Sequence, residues 1–159
     1  MKKLSQGQSV PLFTFECTDP NIRSFKDLQG HNFVLYFYPK DNTPGCTVES
    51  KAFRDLHSEL LKLNTRVLGV SRDNLASHQK FCSKLELPFP LISDPEEKLC
   101  EFFNVLIEKN MFLRKFLGIE RSTFLIDQKG VIRHVWRKVK VKGHAEEVLK
   151  AAKNAMLVV

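Results

Sequence analysis

Residues 32–39, NFVLYFYP, form a continuous run of apolar β-formers. A strand with one wet face alternates polar and apolar side chains, so an unbroken run marks a central strand buried on both faces. A chain built on such a strand must cover two sides of a sheet, and the following segments carry suitable patterns. After the loop KDNTPG, the residues Val48, Ala52, Phe53, Leu56, Leu60 and Leu63 recur at helical spacing. RVLGVS at 66–71 reads as a second buried strand, and 74–87 as a helix with Asp73 or Asn74 as N-cap. Pro88 and Pro90 break that helix before a short extended piece, and PEEKLCEFFNV at 95–105 predicts a short helix. STFLID and VIRHVWRKV surround QKG as a β-hairpin, and 144–157 closes the chain as a helix. Upstream, PLFTFECT sets Phe13, Phe15 and Cys17 against Leu12, Thr14 and Glu16, the alternation of a half-buried strand, and 24–30 reads as a turn.

Strands alternating with helices and ending in a hairpin predict an α/β sandwich, a mixed central sheet flanked by helices. The order β-α-β-α-β-β-α is the one a thioredoxin-like fold requires. With 159 residues, 43% of them apolar and thirteen phenylalanines, the chain suits one domain over 1–159. No apolar run reaches the ~18 residues of a membrane span. The start, MKKLSQGQSV, is basic without an apolar stretch, which is unlike a secretory signal. The expectation is a cytoplasmic protein with no membrane partner.

The net charge of +7 permits binding to nucleic acid. The densest basic stretch, IRHVWRKVKVKGH at 132–144, alternates Lys138, Lys140 and Lys142 with Val139 and Val141, as one wet face of a strand would. No recognition helix or aromatic interleaving accompanies it, so no nucleic-acid partner is expected.

The chain's four cysteines, at 17, 46, 82 and 100, form no CxxC pair. This spacing does not suit a zinc ribbon, and four thiols are too sparse for a disulfide scaffold of this length. Cys46 differs from the others because it follows Pro44-Gly45 directly and opens a helix, with Thr43 three residues upstream. A thiol reacts as thiolate, and lowering an ordinary thiol pKa of about 8.5 by two units requires about 2.7 kcal/mol. A helix N-terminus contributes about 0.3–1 kcal/mol, rising to about 2 when partly buried. A reactive Cys46 therefore needs a second positive group. The loop holds no histidine, and arginine, permanently charged and forked, is the natural candidate.

YPKDNTPGCTVE contains P-x3-T-x2-C as Pro39, Thr43 and Cys46, and GIERSTFLID supplies Arg121 before a strand. Together these resemble the peroxiredoxins, specifically the bacterioferritin comigratory protein or peroxiredoxin Q group, and the resemblance spans nearly the whole chain. It implies a thiol-dependent peroxidase acting on hydrogen peroxide and organic hydroperoxides, in antioxidant defence. Cys46 is then the peroxidatic cysteine, and Thr43 offers its hydroxyl to the thiolate and the peroxide. Arg121 stabilises the thiolate and polarises the peroxide, Pro39 shields the site, and Glu49 orients Arg121. Taken singly, each residue has a plainer reading. Cys46 suits a buried apolar position, Thr43 a turn, Pro39 a strand end and Glu49 a helix's first turn, while Arg121 could pair with Asp127.

Many members of this group carry a second cysteine five residues after the first; here that position is Lys51. Another branch places its resolving cysteine on the next helix, at the position of Cys82 in HQKFCSKLELPFP. That resemblance implies a Cys46–Cys82 disulfide recycled by thioredoxin, a monomer, and neither cofactor nor metal. Cys82 also suits a half-buried core position, which would leave a one-cysteine enzyme served by an external thiol. Cys17 and Cys100 lie on apolar faces and suit packing. A thiol-disulfide oxidoreductase would require CxxC at the helix mouth, where this chain has Thr43-Pro44-Gly45-Cys46.

Overall fold

The computed structural model describes residues 4–157; Lys2 and Lys3, which make the start of the chain basic, lie outside them. In chain order the elements are β1 (Glu16–Cys17), β2 (Asn32–Phe37), α1 (Pro44–Lys62), β3 (Thr65–Ser71), α2 (Leu75–Leu85), β4 (Leu91–Ser93), α3 (Lys98–Phe102), β5 (Leu106–Met111), β6 (Arg114–Ile119), β7 (Ser122–Ile126), β8 (Ile132–Trp136) and α4 (His144–Leu157). Six strands make one sheet in the order β1-β4-β3-β2-β7-β8. β2, β3 and β4 pair in parallel, while β1, β7 and β8 join antiparallel. The sheet is mixed, as the sequence pattern predicts.

β2 occupies the interior of the sheet, and its side chains divide by parity. Phe33, Leu35 and Phe37 enter a cluster with Phe25, Leu28, Leu99 and Phe103 on one face. Val34, Tyr36 and Tyr38 enter the opposite cluster with Phe53, Leu60, Phe81 and Val148. Helices α1, α2 and α4 cover this second face; the N-terminal segment, a 3-10 turn at Phe25–Leu28 and α3 cover the first. Burying each such side chain contributes about 1.5–3 kcal/mol. Gly69 on β3 makes room for this packing: a Cβ there would lie 2.7 Å from the Tyr36 ring and 2.6 Å from Leu91.

Helix starts follow local chemistry. Pro44 begins α1, where a missing N–H costs no helical bond. Asn74 caps α2 by accepting from the Ser77 N–H at 2.8 Å.

Several local expectations need correction. Of residues 11–18 only 16 and 17 join the sheet, because Pro11 and the isolated Thr14–Ser24 bridge interrupt the ladder. Phe13 and Phe15 still turn inward, as their alternation indicates. β8 stops at Trp136, so Lys138, Lys140 and Lys142 are exposed but not on a strand. The chain turns away there because the Arg137 guanidinium donates to the carbonyls of Phe103 and Asn104 at 3.0 Å. Val48 is 57% exposed, outside the buried stripe of α1, and α3 covers only 98–102 of the expected 95–105.

A further difference is an addition. β5 and β6 form a separate two-stranded hairpin across residues that carry no turn signal. Its two-residue turn is Phe112-Leu113, with φ of 54° and 65°. Asn-Gly is the usual choice for that left-handed pair. The two bulky residues are 91% and 105% exposed, so they hide the turn from sequence inspection.

Candidate active site

The end of β2 delivers the chain into the loop before α1. Tyr38 still donates its N–H to Val70 at 3.0 Å, and Pro39, half-buried, ends the ladder. Thr43 Oγ1 donates to the Lys40 carbonyl at 2.7 Å and closes the turn. The Thr47 N–H then donates to the Thr43 carbonyl at 2.9 Å, the first bond of the helix. Cys46 is the third residue of α1 and is 1% exposed. No acidic side chain occupies the first turn, so nothing neutralises the partial positive charge there.

Arg121 comes from far along the chain, and strand register brings it in. β7 runs antiparallel to β2 with Ser122 opposite Phe37, so the residue before β7 sits beside the loop that follows β2. Its guanidinium forks as a planar donor can. Nη2 donates to Cys46 Sγ at 3.5 Å, and Nη1 donates to Glu49 Oε1 at 2.7 Å. The Arg121 side chain is 16% exposed and that of Glu49 2%. A Cβ on Gly45 would approach Nη2 to 3.2 Å, so glycine there leaves space for the fork. Arg121 thus pairs with Glu49, and Asp127 pairs instead with Arg133 at 2.6 Å.

The electrostatics are mutual. Burial opposes the Arg121 charge, but Glu49 and Cys46 outweigh it and hold the guanidinium protonated. Burial pushes the Glu49 carboxyl up to about 7, against the pull of Arg121. Glu49 Oε2 is buried without a hydrogen-bond partner among the described residues, so Arg121 alone compensates this carboxylate.

All four cysteines are free thiols. Cys82 lies half-buried at the edge of the α2 face formed by His78, Phe81 and Leu85. Its Sγ lies 3.8 Å from Thr18 Oγ1, and burial raises its pKa. It borders an open cleft of about 430 Å3 with Thr18, Gln79, Ser83, Phe89 and Pro90. Cys46 and Cys82 pack on the same face of the sheet. Cys17 and Cys100 belong to the other face; burial pushes Cys17 up to about 11 and Cys100 higher still. The Pro44-Gly45 setting of Cys46 is visible in the sequence, but the room that Gly45 leaves for the Arg121 fork is not.

The chain matches the AhpC/TSA family over residues 6–135. It is 45% identical over 148 residues to Peroxiredoxin Bcp of Bacillus subtilis, covering 93% of this chain and 94% of that protein. A mutant of PrxQ from Xylella fastidiosa superposes with a TM-score of 0.91 at 42% identity, covering 98% and 99% of the two chains. The bacterioferritin comigratory protein of Xanthomonas campestris, studied for alkyl peroxide reduction, superposes at 0.87 with 43% identity and covers 94% and 99%. A thiol under a forked guanidinium at a helix mouth, on a thioredoxin-like sheet, agrees with these likenesses: the chain belongs to the peroxiredoxins, in the bacterioferritin comigratory protein and peroxiredoxin Q group, and is a thiol-dependent peroxidase.

Proposed function

We propose that Cys46 is the peroxidatic cysteine of this peroxidase. Its thiolate attacks the terminal oxygen of a hydroperoxide, the O–O bond breaks, and the electron pair leaves on the distal oxygen. That oxygen takes up a proton and departs as water or an alcohol, while Cys46 becomes sulfenic acid. The carrying observation is the fork of Arg121, 3.5 Å from Cys46 Sγ and 2.7 Å from Glu49. The guanidinium stabilises the thiolate and then the negative charge that builds on the leaving oxygen. Glu49 holds it in place. Thr43, whose hydroxyl proton is engaged by Lys40, keeps its oxygen lone pairs for the O–H of the bound peroxide. Pro39 limits water over the sulfur.

The sulfenic acid condenses with Cys82, releasing water and leaving a Cys46–Cys82 disulfide. Thioredoxin, as a low-pKa dithiol, reduces it by exchange. Half-burial of Cys82 beside an open cleft supports this role, since the other two thiols lie on the opposite face. Substrates are hydrogen peroxide and organic hydroperoxides; the alkyl peroxide reduction studied for the Xanthomonas relative supports the second class. The enzyme acts as a monomer in the cytoplasm, its 159 residues forming one domain.

The test is peroxide consumption with thioredoxin and its reductase, followed by stopped flow. Cys46→Ser abolishes turnover. Cys82→Ser retains one stoichiometric oxidation and loses thioredoxin-driven turnover. Sustained thioredoxin turnover by Cys82→Ser would reject the resolving role, and activity in Cys46→Ser would reject the whole scheme.

A further inference from the structure

Between the Cys46 loop and the Cys82 helix lies a buried polar network that the chemistry above leaves unused. Asp41 is 4% exposed. Its Oδ1 accepts from Tyr38 OH at 2.6 Å, and its Oδ2 accepts from Ser77 Oγ at 2.8 Å and faces His78 Nδ1 at 2.7 Å. The Asp41 N–H donates to Asp73 Oδ2 at 2.9 Å. His78 is fully buried, and its Nε2 faces the Ile92 carbonyl at 2.9 Å. One ring nitrogen therefore faces the Asp41 carboxylate and the other the Ile92 carbonyl, both of which accept hydrogen bonds. The ring is held between Asp41 and the β4 backbone. Burial works against the Asp41 charge, but hydrogen bonds from His78 and Tyr38 outweigh it and hold the carboxyl below its ordinary range.

The location of the pair gives it a use. Asp41 lies five residues before Cys46, and His78 lies one helical turn before Cys82. A disulfide needs Cα atoms about 4.4–6.8 Å apart. In the reduced structure Cys46 faces Arg121 and Cys82 faces Thr18, so forming the bond turns both sulfurs away from these partners. The one buried ion pair joining these segments, among the described residues, is Asp41–His78.

We propose that Asp41 and His78 are positioning residues that latch the Cys46 loop to the Cys82 helix, and that release of this pair governs how fast the sulfenic acid is resolved. The proposal rests on the resolving role of Cys82. In the step concerned, Cys46–SOH and Cys82–SH give the disulfide and one water. While the latch holds, the sulfenic acid stays beside Arg121, where a second peroxide can oxidise it to sulfinic acid.

Stopped-flow fluorescence of Trp136, the single tryptophan, separates peroxide-dependent oxidation from the unimolecular disulfide step. His78→Gln removes the ring from the Asp41 carboxylate, and Ser77→Ala, at a half-buried position, removes one hydroxyl bond to the same carboxylate and leaves the His78 contact in place. Loss of the imidazole contact is expected to speed the disulfide step about tenfold in His78→Gln, and loss of the single hydroxyl bond about threefold in Ser77→Ala. Oxidation should stay within about twofold, a split that general loosening of the fold would not produce. Sulfinic acid at Cys46, measured by mass spectrometry at fixed peroxide, should fall in parallel. A disulfide step unchanged or slower in both variants, with the Cys46–Cys82 bond still forming, overturns the latch alone. If peptide mapping of the oxidised wild type finds no such bond, the resolving role has failed and the latch with it.

Discussion

Replacing Arg121 with methionine tests the site most directly. The side chain keeps its length and loses its charge, so the sulfur loses a cation 3.5 Å away. Coulomb's law at that distance gives about 5 kcal/mol at an effective dielectric of ~20 and about 1 kcal/mol in bulk water. With the guanidinium 16% exposed, the environment lies between these limits, nearer the first. Each 1.4 kcal/mol is about a factor of ten, so the second-order rate with hydrogen peroxide at pH 7 should fall about a hundredfold to a thousandfold. The same substitution leaves the buried Glu49 carboxyl with no other compensating partner among the described residues. Glu49→Gln combined with Arg121→Met separates the two effects. Circular dichroism confirms the fold, and stopped-flow consumption of peroxide gives the rate. The reasoning fails if folded Arg121→Met keeps a rate within threefold of wild type. It also fails if the double variant recovers the wild-type rate, because the loss would then belong to the stranded carboxylate. Arg121→Lys retains charge without the fork and should fall between, about tenfold down.

Other expected outcomes concern stability. His144 is buried, and burial and then the Arg121 charge push its pKa down to about 4. The unfolded chain, titrating near 6.5, takes the proton first as pH falls, so stability is full above ~6.5 and drops by about 3 kcal/mol on the way to ~4. His144→Gln should flatten that limb of urea unfolding measured against pH; an unchanged slope would reject the assignment. Phe112→Asn with Leu113→Gly relieves two left-handed bulky residues and should stabilise the β5–β6 hairpin by about 2 kcal/mol, seen as slower hydrogen exchange at 106–119. Phe53→Ala removes a fully buried ring stacked on Tyr36 at a centroid separation of 4.8 Å. It should cost about 3–5 kcal/mol in chemical denaturation; a loss below ~1 would contradict the packing described.

The chain's order of elements was legible because its signals are local. An unbroken apolar run must be buried on both faces, and β2 divides its side chains between two clusters accordingly. Pro44 and Asn74 mark helix starts because capping involves neighbours in sequence. The β5–β6 hairpin escaped notice for the opposite reason: its turn is held by pairing along both strands, not by residues that prefer a left-handed backbone. The lysine alternation at 138–142 suggested more strand than forms, since long-range bonds of Arg137 decide where β8 ends.

The same division holds at the site. Sequence alone determined that a thiol stands at the mouth of a helix behind a Pro-Gly loop, because Thr43, Pro44, Gly45 and Cys46 are consecutive in the chain. Only the tertiary structure decided which cation meets that sulfur, since Arg121 arrives through the register of β7 on β2, 75 positions away. It alone decided that Glu49 spends its charge on that arginine and that Asp41 and His78 meet in the interior. Electrostatic and hydrogen-bond energies depend on distance through space, and a linear sequence carries that distance only after the sheet has assembled.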